Sequence, residues 1–216
     1  MSNLSLKVNE IFSSILGEGT YAGVPCAFVR LTGCNLRCAY CDTQFAYENG
    51  IEMSVDQVVR SVAKYNLAPV LVTGGEPLLQ DGVYELLNKL LDADHIVLLE
   101  TNGAVSVDKV PGDVITIMDL KCPSSGECHR NIFSNLDYLS DPDNVKFVIR
   151  DRTDYEWAVN VIDEYGLETL LFILMSPVYG AIDPKQLSEW MLEDKLLARI
   201  SLQIHKIIWG PEERGR

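Results

Sequence analysis

Short apolar runs and helical stripes alternate along the whole chain. Residues 6–12 alternate well enough for a strand, and residues 26–31 form a second apolar run. Further runs at 69–73, 96–100, 114–120, 145–149, 170–175 and 200–204 read as strands buried on both faces. Between them lie helical patterns. Ser54, with Gln57 three residues on, predicts a capping box, and Val55, Val58, Val59 and Val62 supply an apolar stripe at the 3.6 period. Residues 78–91 predict a helix with Val83, Leu86, Leu87 and Leu90 facing inward; residues 131–139, 155–165 and 184–193 predict three more. Strands that alternate with amphipathic helices imply an α/β fold, a parallel sheet with helices outside. The pattern alone fits either an open doubly wound sheet or a partial barrel.

Composition narrows the class. A chain of 216 residues, 47% hydrophobic and 23% charged, is long enough to bury a sizeable core and reads as one domain spanning 1–216. Eighteen Lys and Arg against 31 Asp and Glu give −13, which argues against a broad nucleic-acid or anionic-membrane surface and suits a small-molecule substrate. No apolar run reaches membrane-spanning length, and Met1 to Leu6 lack a charged start followed by an apolar core. The six cysteines are accordingly expected to be cytoplasmic thiols, free or metal-bound, rather than a disulfide framework.

Three of them carry the candidate chemistry. In Cys34-Asn-Leu-Arg-Cys38-Ala-Tyr-Cys41 the cysteines are spaced by three residues and then two, and can turn their sulfurs toward one point. Thiolates suit zinc, copper(I) or iron–sulfur clusters. A closed structural zinc site or a fully protein-held [4Fe–4S] cluster takes four ligands, so three suggest a cluster with one open iron. A zinc site completed by a distant ligand remains open at this point. Further unusual residues follow successive strands: Thr73-Gly-Gly-Glu-Pro77, Glu100-Thr-Asn-Gly103 and Asp119-Leu-Lys-Cys-Pro-Ser-Ser-Gly126. In parallel α/β folds those positions share one rim, where ligands gather.

The cysteine spacing resembles the signature of the radical S-adenosylmethionine (SAM) enzymes. That resemblance implies a partial (β/α)6-type barrel, a [4Fe–4S] cluster on Cys34, Cys38 and Cys41, and SAM. Ser13-Ser-Ile-Leu-Gly-Glu-Gly19, Phe28-Val-Arg-Leu-Thr-Gly-Cys34, Cys41-Asp-Thr43, Thr73-Gly-Gly-Glu-Pro77, Glu100-Thr-Asn-Gly103 and Gln203-Ile-His-Lys206 together resemble the 7-carboxy-7-deazaguanine synthase family, nearly end to end. The resemblance implies conversion of a carboxylated tetrahydropterin to 7-carboxy-7-deazaguanine with loss of ammonia. It implies that Ile15, Leu16, Gly17, Arg30 and Thr73 bind the pterin and that Thr43 holds Mg²⁺. It also implies that Tyr40, Cys41, Asp42, Gly75, Glu76, Asn102, Lys121, Ser124, Ser125, Gly126, Met175, Ser176 and Pro177 line SAM. A homodimer and a reducing partner such as flavodoxin are implied as well. Many members carry Gln where this chain has Leu16, so contact there is expected through backbone.

A glycyl-radical activase is the rival within radical SAM enzymes, and a non-catalytic iron–sulfur or zinc module the rival outside them. Cys26 reads as a buried small hydrophobe, and His95 and His129 as surface residues. Cys122 and Cys128 lack neighbouring cysteine pairs. His205 and Lys206 sit where either a rim or a structural role is expected.

Overall fold

The computed structural model describes residues 4–211, Glu213 and Gly215. One nine-stranded sheet organises the chain: β1 (Ser5–Ile15), β2 (Pro25–Leu31), β3 (Ile51–Ser54), β4 (Pro69–Gly74), β5 (Ile96–Thr101), β6 (Ile115–Leu120), β7 (Asn144–Ile149), β8 (Phe172–Pro177) and β9 (Arg199–Ile200). Its order is β3-β1-β2-β4-β5-β6-β7-β8-β9. β2 and β4 to β9 run parallel, each beside its successor; β1 is antiparallel to both β2 and β3. This is the partial-barrel arrangement that the family resemblance implies, and it leaves the sheet open between β3 and β9.

Side chains alternate across the strands, and the two faces do different work. Outward, Val29, Val72, Val97 and Leu99 pack under α1 (Val55–Ala63) and α2 (Gly82–Asp92). Met118, Phe147 and Met175 pack under α3 (Arg152–Tyr165) and α4 (Pro184–Asp194). Inward, Leu16, Phe28, Leu71, Leu98, Ile117 and Leu174 make a small interior plug. Each such side chain, fully buried, contributes roughly 1.5–3 kcal/mol. The plug closes one end of the barrel and leaves the carboxyl ends of the strands for a cavity.

The capping box opens α1 as expected: Ser54 Oγ accepts from Gln57 N at 3.3 Å, and Gln57 Oε1 accepts from Ser54 N at 2.8 Å. Three predicted elements differ. The helix expected over 78–91 is split, because extended Gln80 bridges β1 to the end of β2, accepting from Lys7 N and donating to Lys7 O and Thr32 O. Residues 131–139 form only a 3₁₀ segment. The buried Asn135 side chain binds the Gly103 and Val105 carbonyls and the Val107 amide, competing with a regular helix. The strand expected over 200–204 shrinks to Arg199–Ile200, since Ile204 N turns to donate to Gly17 O at 3.1 Å and begins α5 (Ile204–Trp209).

Candidate active site

A cavity of 680 Å³ opens at the carboxyl ends of the parallel strands. The cysteine loop forms one wall. Gly33, at φ +100°, turns the chain out of β2, and its carbonyl accepts from Glu76 N at 2.7 Å. Leu36 N and Asn102 Nδ2 lie 3.4 and 3.7 Å from Cys34 Sγ. Arg37 Nη1 donates to the Cys34 and Leu36 carbonyls, and its guanidinium covers Tyr47 at 4.2 Å. From across the barrel, Ser125 O accepts from Ala39 N at 3.0 Å and Glu127 Oε1 from Arg37 N at 2.7 Å. Burial pushes the Cys34 and Cys38 thiols up, Cys38 to about 11 although Lys121 pulls the other way.

The three sulfurs share this wall without closing on one point. Among the described residues, no three His, Cys, Asp or Glu side chains gather as they would around a single ion. A closed structural zinc site takes four ligands, so three thiolates with no fourth Cys or His gathered beside them among the described residues fit a cluster with one open iron better than such a zinc. Asp119 Oδ1, buried in the cavity lining with no hydrogen-bond partner among the described residues, is an acceptor that a bound ligand can satisfy.

Charged side chains line the rest of the cavity. Arg30 pairs through Nε with Glu10 at 2.8 Å and lies over Phe12 and Phe45. Thr73 Oγ1 donates to Glu100 Oε2 at 2.8 Å. Lys146 reaches Glu18 at 2.9 Å, Glu100 at 3.5 Å and Asp119 at 3.9 Å, and Lys121 pairs with Asp119 at 2.8 Å. Burial would raise the Glu100 carboxyl, but Lys146 and Thr73 outweigh it and hold the group low; burial likewise works against the charge on Lys146, which its carboxylates more than restore. Asp42 behaves like Glu100: burial opposes its charge, and Lys206 Nζ at 2.6 Å with Gln203 at 3.2 Å holds it low.

Most of the expected site residues meet here: Leu16, Gly17, Arg30, Cys34, Cys38, Tyr40, Cys41, Asp42, Thr43, Thr73, Gly75, Asn102, Lys121, Ser176 and Pro177 all line the cavity. Six do not. Ile15 ends β1, paired with Pro25. Glu76 is fully buried, its carboxylate accepting from Thr101 Oγ1, Asn102 N and Leu78 N, so it braces the rim from behind. Ser124 is bound to Asp154 at the start of α3 through both its amide and its hydroxyl. Ser125 Oγ donates to Cys122 O at 2.6 Å while its carbonyl supports the cysteine loop, and Gly126 completes that turn at φ +78°. Met175 points to the outer core.

Glu18, Glu100, Asp119 and Lys146 were not assigned roles from sequence. Lys146 did leave a signal, a lysine inside the apolar run Asn144-Val-Lys-Phe-Val-Ile149, where a charge is seldom buried unless paired. Gly74 and Gly75 have a requirement of their own. A Cβ on Gly74 would meet Leu31 O at 2.3 Å and one on Gly75 would meet Gly33 O at 2.1 Å, so the neighbouring strand end, as much as any ligand, requires them.

His205 lies against Gly17 so closely that a Cβ there would meet its Nδ1 at 2.1 Å. Burial holds His205 below the ordinary value of 6.5, with Glu18 opposing and Lys206 adding to the fall. The unfolded chain therefore takes up this proton first, and the contribution of neutral His205 to stability is lost progressively below about pH 6.5. Thermal melts should show a shallower acid-side decline for His205→Gln than for the natural chain; equal slopes would refute this.

A cavity with three cysteines on one wall, at the carboxyl ends of a partial barrel, fits the radical SAM class of enzymes. Residues 28–191 match the radical SAM superfamily model. A 7-carboxy-7-deazaguanine synthase of Chlorobaculum tepidum is 45% identical over 213 residues, covering 97% of both chains. One of Koribacter versatilis is 42% identical over 227 residues, covering 97% of this chain and all of the relative. The crystal structure of QueE from Escherichia coli shares the fold at TM-score 0.78 and 21% identity, covering 92% of this chain and 94% of that one. The chain belongs to the 7-carboxy-7-deazaguanine synthase family, and membership of the radical SAM superfamily implies a [4Fe–4S] cluster and SAM.

Proposed function

We propose that this chain, acting as one domain over residues 1–216, converts 6-carboxy-5,6,7,8-tetrahydropterin to 7-carboxy-7-deazaguanine with release of ammonia, a step of queuosine biosynthesis. The observation that carries the reading is a single cavity with a soft-ligand wall at Cys34, Cys38 and Cys41 and a polar wall at Arg30, Thr73 and Glu100. Cys34, Cys38 and Cys41 would hold the cluster. When bound, the cluster and SAM supply one-electron cleavage of SAM and hence hydrogen-atom abstraction from substrate. Tyr40, Asp42, Gly75, Asn102, Lys121, Ser176 and Pro177 would border SAM, while Ser124, Ser125 and Gly126 would support the cysteine loop from outside the cavity.

Arg30 would take the substrate carboxylate in a charge-assisted pair, its guanidinium already oriented by Glu10 and two aromatic faces. The backbone at Leu16 and Gly17 would border the pterin. Glu100, kept ionised by Lys146 and Thr73, offers an acceptor to ring N–H groups.

Thr43 Oγ1, 3.7 Å from Cys41 Sγ on the cavity wall, would place one hard oxygen on Mg²⁺, which keeps its remaining sites for substrate and water. Thr43→Ala is expected to lose the rise in activity with added Mg²⁺ and Thr43→Ser to keep it; a Thr43→Ala enzyme with full Mg²⁺ dependence would remove Thr43 from this role. A homodimer, a flavodoxin-type electron donor and a cytoplasmic location belong to the same reading, and light scattering tests the first of them.

The deciding experiment is an anaerobic assay with reconstituted cluster, dithionite, SAM, Mg²⁺ and the carboxytetrahydropterin. Deazaguanine product supports the proposal. SAM cleavage without it would transfer the chain to another radical SAM reaction, such as glycyl-radical activation. No SAM cleavage by a cluster-loaded protein would leave a binding module.

A further inference from the structure

The loop between β1 and β2 has its own internal bonds, Leu16 N to Val24 O at 2.9 Å and Gly23 N to Leu16 O at 2.8 Å. What joins it to the barrel comes from far along the chain. Leu16 is buried in the interior plug. Two residues later, Glu18 crosses the cavity to Lys146, 128 positions away, with Oε2 at 2.9 Å from Nζ, while its Oε1 lies 3.4 Å from Ser176 Oγ. Gly17 is thus held between an apolar anchor and an ionic one, and its carbonyl takes Ile204 N. Lys146 stands on β7 with Val148 on the cavity face, while Val145 and Phe147 enter the outer core. The same ammonium meets Glu100, whose other oxygen is bound by Thr73.

We propose that Lys146 is a positioning residue of the substrate pocket. Through Glu18 it fixes the Leu16–Gly17 backbone, and through Glu100 it sets the acceptor behind Thr73, without itself touching substrate. This rests on the pterin reading above. Were Lys146 only a neutraliser of buried carboxylates, its loss would weaken the whole barrel, SAM binding included. As a positioning residue it acts chiefly on the pterin side, its contact toward the SAM side, to Asp119 at 3.9 Å, being the longest of its three ion pairs.

Lys146→Met is expected to raise the KM for the pterin by roughly tenfold to a hundredfold, about the worth of one hydrogen bond to a charged group, and to leave the SAM Kd unchanged. Amide exchange at Leu16 and Gly23 should accelerate while amides of β4 and β5 keep their rates. Lys146→Arg should recover much of both. If Lys146→Met fails to fold, Glu18→Gln releases the loop while leaving Lys146 to Glu100 and Asp119, and the same KM rise and loop-specific exchange are expected. A folded variant with natural pterin KM and natural loop exchange overturns the proposal, as does parallel loss of pterin and SAM affinity. If the natural chain makes no deazaguanine, the function proposed above fails, and the exchange measurement still decides the tether.

Discussion

Replacing Cys38 by Ala is expected to remove the cluster and with it all detectable product. The cysteine wall holds three thiols, and the other cysteines are poor substitutes: Cys26 and Cys122 are fully buried in packed cores. Burial raises the Cys38 thiol to about 11, so near neutral pH it is a protonated thiol until a metal displaces the proton. Two remaining sulfurs cannot hold what three would. Iron and sulfide content, the visible thiolate-to-iron absorption and product yield should all collapse together. Cys128→Ser, outside the cavity lining, should alter none of them. An iron-loaded, active Cys38→Ala enzyme would show that the ligand set lies elsewhere.

Gly75→Ala should be the most damaging small substitution on the rim. The added methyl would lie 2.1 Å from Gly33 O, 2.6 Å from Gly33 C and 2.9 Å from Cys34 Cβ. Backbone at the junction of two parallel strands cannot swing aside as a flexible side chain can, and it leads directly into the first cysteine. Overpacking of this kind costs about 3 kcal/mol, which for a chain of this size lowers Tm by roughly 6–12 °C. Iron loading should fall as well, because the relief available is to push Cys34 away. Gly112→Ala, with open space around the new Cβ, is the matched control and should melt near the natural chain. A Gly75→Ala protein with natural Tm and iron content would contradict the close-approach argument.

The fold was legible where the chain obeys one period at a time. Apolar runs such as Val70, Leu71 and Val72 are buried on both faces, and the Ser54 capping box is wholly local. Where a polar side chain replaces main-chain pairing, as Gln80 and Asn135 do, the helical pattern overstates the helix. The site divides in the same way. The cysteine loop, Asn102 and Lys121 follow strand ends, Thr73 is the last but one residue of its strand, and all reach the cavity. Glu76, Ser124 and Met175 sit beside such residues in sequence, but adjacency does not say which way a side chain points, and theirs turn to Asn102, Asp154 and the outer core. The Glu18–Lys146 pair could not be anticipated from spacing, because its partners are joined only by closure of the barrel.

The support of the cysteine loop also has a consequence in time. Arg37 N is held by Glu127, 90 residues further on, and Ala39 by Ser125. At a synthesis rate of about 5–20 residues per second, these partners leave the ribosome roughly 5–20 seconds after the loop does. During that interval the three thiols stand on a sheet that has only begun to grow, open to oxidation and to stray metal. A cluster delivered after the loop after β6 has been made meets a braced site; one delivered earlier meets a free strand end.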